Sequence, residues 1–215
     1  MFSASGTHGP VVEPALALLI DASLIGAATV LLMRSSSKSG MGLLALLVLT
    51  VSSLRVAMAD LPNIQPVTVS CLLVGAVMGA RRGIAFAILV TLLSNAVIAA
   101  GWWSIFQAIG WSLVAIAGSR INLIEKQEVR MPRLIVASVL AAFMFGIITS
   151  FSIIESSTTM SGFGIYLLNG LIFDSMHALG NVVIALWFAP WFTRFLHSEE
   201  FMFGESIQTI TTVEG

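Results

Sequence analysis

Charge is scarce in this sequence. Asp, Glu, Lys and Arg make up 10% of 215 residues, against about 25% in an ordinary soluble domain. Apolar residues make up 57% and mean hydropathy is +0.98. No soluble core of this size could hide so much apolar surface, so the solvent must be lipid. Cysteine is nearly absent. Cys71 lies inside an apolar run, excludes a disulfide framework and a cysteine-rich metal site, and reads as a small buried apolar residue. The only lysines, Lys38 and Lys126, stand in no G-x-x-x-x-G-K-[ST] string, so no phosphate-cradling loop can form. H-E-x-x-H and G-x-S-x-G are missing as well. No metal site, cofactor or catalytic residue is expected. A net charge of −1 leaves no broad basic face for nucleic acid. Residues 1–11 hold no Lys or Arg, so the basic start of a signal peptide is missing and 12–33 is expected as a retained membrane helix.

What is present is a series of seven apolar segments: 12–33, 41–59, 67–80, 83–100, 104–119, 132–154 and 167–193. Helix is the default for each, because a lone strand leaves backbone groups unpaired in hydrocarbon. The fold class is therefore an all-α, polytopic membrane bundle. Segments 67–80 and 83–100 form a hairpin whose turn carries Arg81 and Arg82. Gly75, Gly79 and Gly83, and again Ser138, Ala142, Gly146 and Ser150, repeat every four residues, a spacing that lets helix backbones approach. The stretch 153–166 is expected as an external loop.

Nine of the ten Lys and Arg residues fall on one side if the N-terminus is outside and the C-terminus cytoplasmic. The exception, Arg55, lies within the second segment. That orientation collects polar groups from separate segments at one depth near the outer surface: Arg55, Asp60, Asn63, Gln65, Asn95, Gln107, Asp174, His177 and Asn181, with Trp102, Trp103 and Trp111. Asp174, His177 and Asn181 are spaced to share one helix face. Groups of this kind are costly against lipid and should face the bundle interior or a water-filled cup. Several roles stay open. Arg55 is either a snorkelling anchor or pairs with Asp21, Asp60, Asp174 or a ligand anion. Trp102 and Trp103 suit an interfacial belt or a ligand wall. His177 suits a bond to Asp174 or a carbonyl, a ligand contact, or a metal. Asp21 is isolated in the first segment and otherwise suits a contact to another subunit.

The strings LPNIQPVTVSCLLVGAVMGARRG, LLSN, GWWSIFQAIGW and FDSMHALGN make residues 42–195 resemble the substrate-binding S components of energy-coupling factor (ECF) vitamin transporters, within them the cobalamin-type group. The resemblance implies a six-helix core, here 41–196. An N-terminal part, 1–40, adds one extra transmembrane helix for seven in total, and 197–215 is expected as a poorly ordered cytoplasmic tail. It implies capture of a vitamin or related micronutrient, cobalamin first, from the outer face. It implies docking onto a transmembrane coupling protein and two ATPase subunits, which spend the ATP. The substrate contacts would be Arg55, Asn63, Gln65, Asn95, Trp102, Trp103, Gln107, Trp111, Asp174, His177 and Asn181. Two features depart from the family: the added helix, and the lack of an Ala-x-x-x-Ala pair in the cytoplasmic half of segment 41–59. A ligand-free membrane scaffold and an integral membrane enzyme are the alternatives.

Overall fold

A computed structural model describes residues 13–35, 40–61, 63–98, 100–126, 128–154 and 158–211, with side chains through Phe192. Pro14 opens α1 (Pro14–Met33) at a position where its missing N–H would have no helical partner anyway. This helix is apolar on every side and buries only Ala28, against Ala85, Ile88 and Ala108. Helix α2 (Met41–Ala57) ends two residues before the expected 59.

Helix α3 (Val67–Ile98) is a hairpin. A straight helix of 32 residues would be about 48 Å long. Yet Gln65, just before its start, and Asn95, near its end, both bond the same guanidinium, that of Arg55. The chain turns back at Gly79, whose φ of 82° and ψ of 168° suit glycine almost alone. The bend therefore falls two residues before the Arg81–Arg82 pair, which already belongs to the second arm. The glycine repeat divides by role. A Cβ on Gly75 would lie 2.0 Å from the Ala115 carbonyl oxygen, and one on Gly83 3.1 Å from the Gly75 Cα. Gly79 has nothing within 4 Å and serves the turn alone.

Helix α4 (Trp103–Gly118) follows, and a Cβ on Gly118 would meet the Leu72 carbonyl oxygen at 2.2 Å. A short hairpin that the apolar pattern did not show, β1 (Ile124–Glu125) and β2 (Glu128–Val129), pairs Ile124 with Val129. Arg130 closes it by an ion pair with Glu125. That hydrogen bond, helped by the arginine's charge, holds the Glu125 carboxyl below its usual range. Helix α5 (Met131–Ser150) leads through a single 3-10 turn, Phe151–Ile153, toward α6 (Met160–Thr211).

Two expectations are corrected at α6. The loop expected over 153–166 is shorter, because the helix already starts at Met160, where the Thr159 hydroxyl accepts the Gly162 N–H at 3.1 Å. The helix also runs on through Pro190 to Thr211, past the expected end at 193.

Among the described residues, four apolar helical stretches are long enough to cross a membrane, Val67–Ile98 being counted across both of its arms: Pro14–Met33, Val67–Ile98, Met131–Ile153 and Met160–Phe192. Helices α2 and α4 are apolar but shorter, at 17 and 16 residues. Large apolar side chains such as Leu18, Val97, Leu168 and Trp187 lie exposed on the outside, as lipid-facing groups do. The fold is all-α, with the doubled α3 at its centre and the arrangement of a polytopic membrane bundle. Its two ends differ. At one, Arg81 donates to the Arg34 carbonyl (2.9 Å) and Arg82 to the Ser35 hydroxyl (2.9 Å). At the other lies the site.

Candidate functional site

The inner wall is organised by Arg55. It stands in the last turn of α2 and is only 5% exposed. An arginine carries donors and no acceptor, so every group that hydrogen-bonds it must present an acceptor. Its Nε donates to Gln65 Oε1 at 3.0 Å and its Nη1 to Asn95 Oδ1 at 2.6 Å and to the Ser94 hydroxyl. Ser94 passes its own proton to the Val90 carbonyl at 2.5 Å. Asn95, its oxygen taken, donates through Nδ2 to Ser104 and to Gln107 Oε1, both at 2.8 Å. The guanidinium also lies over the Trp111 ring, 5.0 Å from its centroid.

None of these partners is acidic. Arg55 is buried rather than snorkelling, and it does not pair with Asp21, Asp60 or Asp174. Those readings are excluded by the side chains that meet it.

A second cluster crosses from α3 to α6. The Thr68 hydroxyl oxygen accepts the Trp111 indole N–H at 3.2 Å and lies 2.9 Å from His177 Nε2. The indole can only donate, so its bond to Thr68 has a fixed direction, whereas the bond between Thr68 and Nε2 takes its direction from the histidine tautomer. His177 therefore bonds Thr68, not Asp174 or a carbonyl. Trp111 stacks on Phe145 with centroids 4.6 Å apart, and the His177 ring meets Phe145 edge-on. Among the described residues no group of three His, Cys, Asp or Glu is placed to hold a metal ion.

These clusters line two adjoining cavities. The inner one, about 200 Å³, is bounded by Arg55, Asn63, Gln65, Val67, Thr68, Asn95, Ile98, Trp103, Gln107, Trp111, Phe145 and His177. The outer one, about 560 Å³, shares Asn63, Trp103, Gln107, Phe145 and His177 with it. It adds Gly146, Thr149, Ser150, Ser152 and, from α6, Tyr166, Asn169, Gly170, Phe173 and Asp174. Gly146 makes room for the acid: a Cβ there would lie 2.0 Å from Asp174 Oδ1. Asn63, in the left-handed conformation at φ 58°, donates to the Phe173 carbonyl at 3.2 Å and ties the α2–α3 loop to α6 across the mouth.

Nine of the eleven residues singled out in the sequence border these cavities. Trp102 does not; it precedes α4 and packs edge-on against Phe106, 5.5 Å away. Asn181 does not either. It lies a turn beyond His177, fully buried, donating to the Ser138 carbonyl at 3.1 Å and so joining α6 to α5. Trp111 borders the inner cavity, but its ring is engaged by Phe145 and Arg55 rather than left as an open wall. Thr68, Phe145, Tyr166 and Asn169 were not singled out. Depth alone would have suggested Thr68, which follows the PNIQP string by two residues. Phe145 carries no sequence signal apart from its place near the outer end of α5.

No curated protein matches this chain, and no solved structure does. One family model does match, over residues 35–200. The chain belongs to that family, DUF6580, a family of unknown function.

Proposed function

We propose that the protein is the substrate-binding subunit of an ECF-type importer. On this reading it takes a vitamin or related micronutrient from the outer face and delivers it through a coupling protein and two ATPase subunits. One observation carries the proposal: a concave, two-chambered cup with polar and aromatic walls opens at the end of the bundle opposite the Arg81–Arg82 end. Its size and mixed lining are those of a small-molecule site. In this reading α2 to α6 supply the six-helix core, with α3 counted as two arms, and α1 is the added helix.

The scaffold alternative requires Asp174 and His177 to be satisfied by each other or by Arg55, with no cup between them. Their separate placement around a cavity favours the receptor. An enzyme would need an accessible nucleophile beside His177. Thr68 stands at the right distance but is 1% exposed and already accepts a hydrogen bond from Trp111. Ser175 donates to the Leu171 carbonyl at 2.7 Å.

The purified chain is expected to bind a vitamin at equilibrium and to co-purify from its host with a membrane coupling protein and two ATPases. The resemblance puts cobalamin first among compounds to try. Failure of every vitamin to bind below millimolar levels would remove the receptor reading.

Sidedness has its own test. The lone Cys71 is fully buried, so an introduced cysteine will report by itself. In intact cells, Asp60→Cys is expected to react with a membrane-impermeant maleimide. Arg120→Cys should react only after permeabilisation. The reverse pattern would turn the cup toward the cytoplasm and end the importer proposal.

A further inference from the structure

We infer that the ligand is a small ring-bearing organic anion, an acid whose charged group seats against Arg55 Nη2 in the inner chamber. This rests on the receptor reading and gives its substrate class. The argument follows the hydrogen-bond chain outward from the guanidinium. Arg55 Nε and Nη1 are spent on Gln65, Ser94 and Asn95, while Nη2 bonds nothing among the described residues. Gln65 and Gln107 each have their oxygen taken, the first by Arg55 and the second by Asn95. Their amide nitrogens are left as unpartnered donors. None of these three nitrogens is among the side-chain atoms both sealed from solvent and lacking a partner, which are Ser52 Oγ, Ser138 Oγ and Asn181 Oδ1. All three residues line the inner cavity, so the donors open into it.

The chamber floor thus presents donors and a positive charge with no acid beside it. Burying a charge is costly unless it is paired. An anion supplies the missing charge and the missing acceptors together. Because Nε and Nη1 are occupied, a two-pronged clamp on the guanidinium is closed off. A carboxylate would set one oxygen on Nη2 and the other toward Gln107. Acceptors lie farther out. Asp174 lines the outer chamber alone, and Asn63 Oδ1 stands at the mouth, its amide nitrogen bonded to Phe173. The ligand therefore enters acid end first. Cavities of about 200 and 560 Å³ suit a compound of one or two rings rather than a corrinoid macrocycle with its nucleotide loop.

The test is equilibrium binding to the purified full-length chain with matched acids and amides: nicotinate and nicotinamide, biotin and biotinamide, 4-aminobenzoate and 4-aminobenzamide. Thiamine and cobalamin serve as the cationic and corrinoid probes. At least one acid is expected to bind, with its amide weaker by about tenfold or more, the scale of a lost charge-assisted bond. Gln107→Glu keeps the oxygen that accepts from Asn95 but replaces the donor with a second carboxylate oxygen. It should weaken the acid by about tenfold or more and the amide far less. An amide, thiamine or cobalamin binding as tightly as every acid overturns the inference and leaves the receptor reading standing. So does an acid that Gln107→Glu leaves untouched. Binding by none of the probes overturns the inference, and the receptor reading falls with it only when every other vitamin fails too.

Discussion

Gly118→Val is expected to leave the chain unable to accumulate as a folded, monodisperse protein. A Cβ at Gly118 would lie 2.2 Å from the Leu72 carbonyl oxygen and 2.8 Å from its carbonyl carbon and Cα. These are backbone atoms and no rotamer change can move them aside. At the same crossing, a Cβ on Gly75 would meet the Ala115 carbonyl oxygen at 2.0 Å, so α3 and α4 touch backbone to backbone at two places. Valine would force the helices apart along the whole contact. Overpacking a core ordinarily costs about 1–3 kcal/mol. In lipid the penalty is felt more fully, because close van der Waals packing is a main force joining helices there. Gly26→Val on α1 is the control. Nothing lies within 4 Å of a Cβ at that position, so yield and unfolding temperature should stay near the parent's. If detergent-purified Gly118→Val unfolds at the parental temperature, the two helices do not meet this closely.

That crossing shows how far the sequence can be read. Its glycine spacing announced close helix contacts but not the partner of each glycine. Gly75 and Gly83 pack, whereas Gly79, in the same four-residue rhythm, turns the chain. The hairpin was legible because two apolar arms flank a basic doublet. Its exact bend was not, because the strongest charge signal and the one residue able to take a φ of 82° are different residues. Helix starts made of weak formers were misread too. Ser161, Gly162 and Gly164 look like a loop, yet Thr159 caps them into α6.

Depth was legible at the site; direction was not. Ranking residues by distance from the basic loops gathered Arg55, Gln65, Asn95, Gln107 and His177 at one level. What each faces depends on contacts between residues 10 to 109 positions apart, such as Arg55 with Gln65 and Thr68 with His177. Nothing local encodes those. Asn181 satisfied the same spacing rule as His177 and still turned into the α5–α6 seam, because one more turn carried it below the cup. The family match, which starts at residue 35, takes in every element of the cup and leaves out α1. Helix α1 lines neither cavity.

Arg55→Met is expected to weaken anion binding by about 10- to 150-fold while changing the stability of the empty protein little, and the contrast decides what the arginine is for. Two opposing costs set the stability. A charged side chain at the centre of a membrane helix costs about 2.5–3.5 kcal/mol on insertion scales, and less toward the interface; methionine removes that cost. Against it, Asn95 Oδ1 loses the donor it has from Arg55, and a buried acceptor without a partner costs about 1–3 kcal/mol. Ser94 keeps its bond to the Val90 carbonyl, and half-buried Gln65 can turn its amide to water. The balance lies within about 1–2 kcal/mol of zero, and the unfolding temperature should move by no more than about 8 °C. Binding has no such compensation. Methionine removes the charge-assisted bonds at Nη2 and frees Gln65 and Asn95 to rotate, so the donors lose both strength and aim. A loss of about 1.5–3 kcal/mol is about 10- to 150-fold in affinity. Arg55→Lys should fail as well, because one ammonium cannot serve Gln65, Ser94, Asn95 and a ligand together. If Arg55→Met instead lowers the unfolding temperature by more than about 10 °C, and any binding is lost only in step with folding, the arginine is a structural keystone and the cup was not built around an anion.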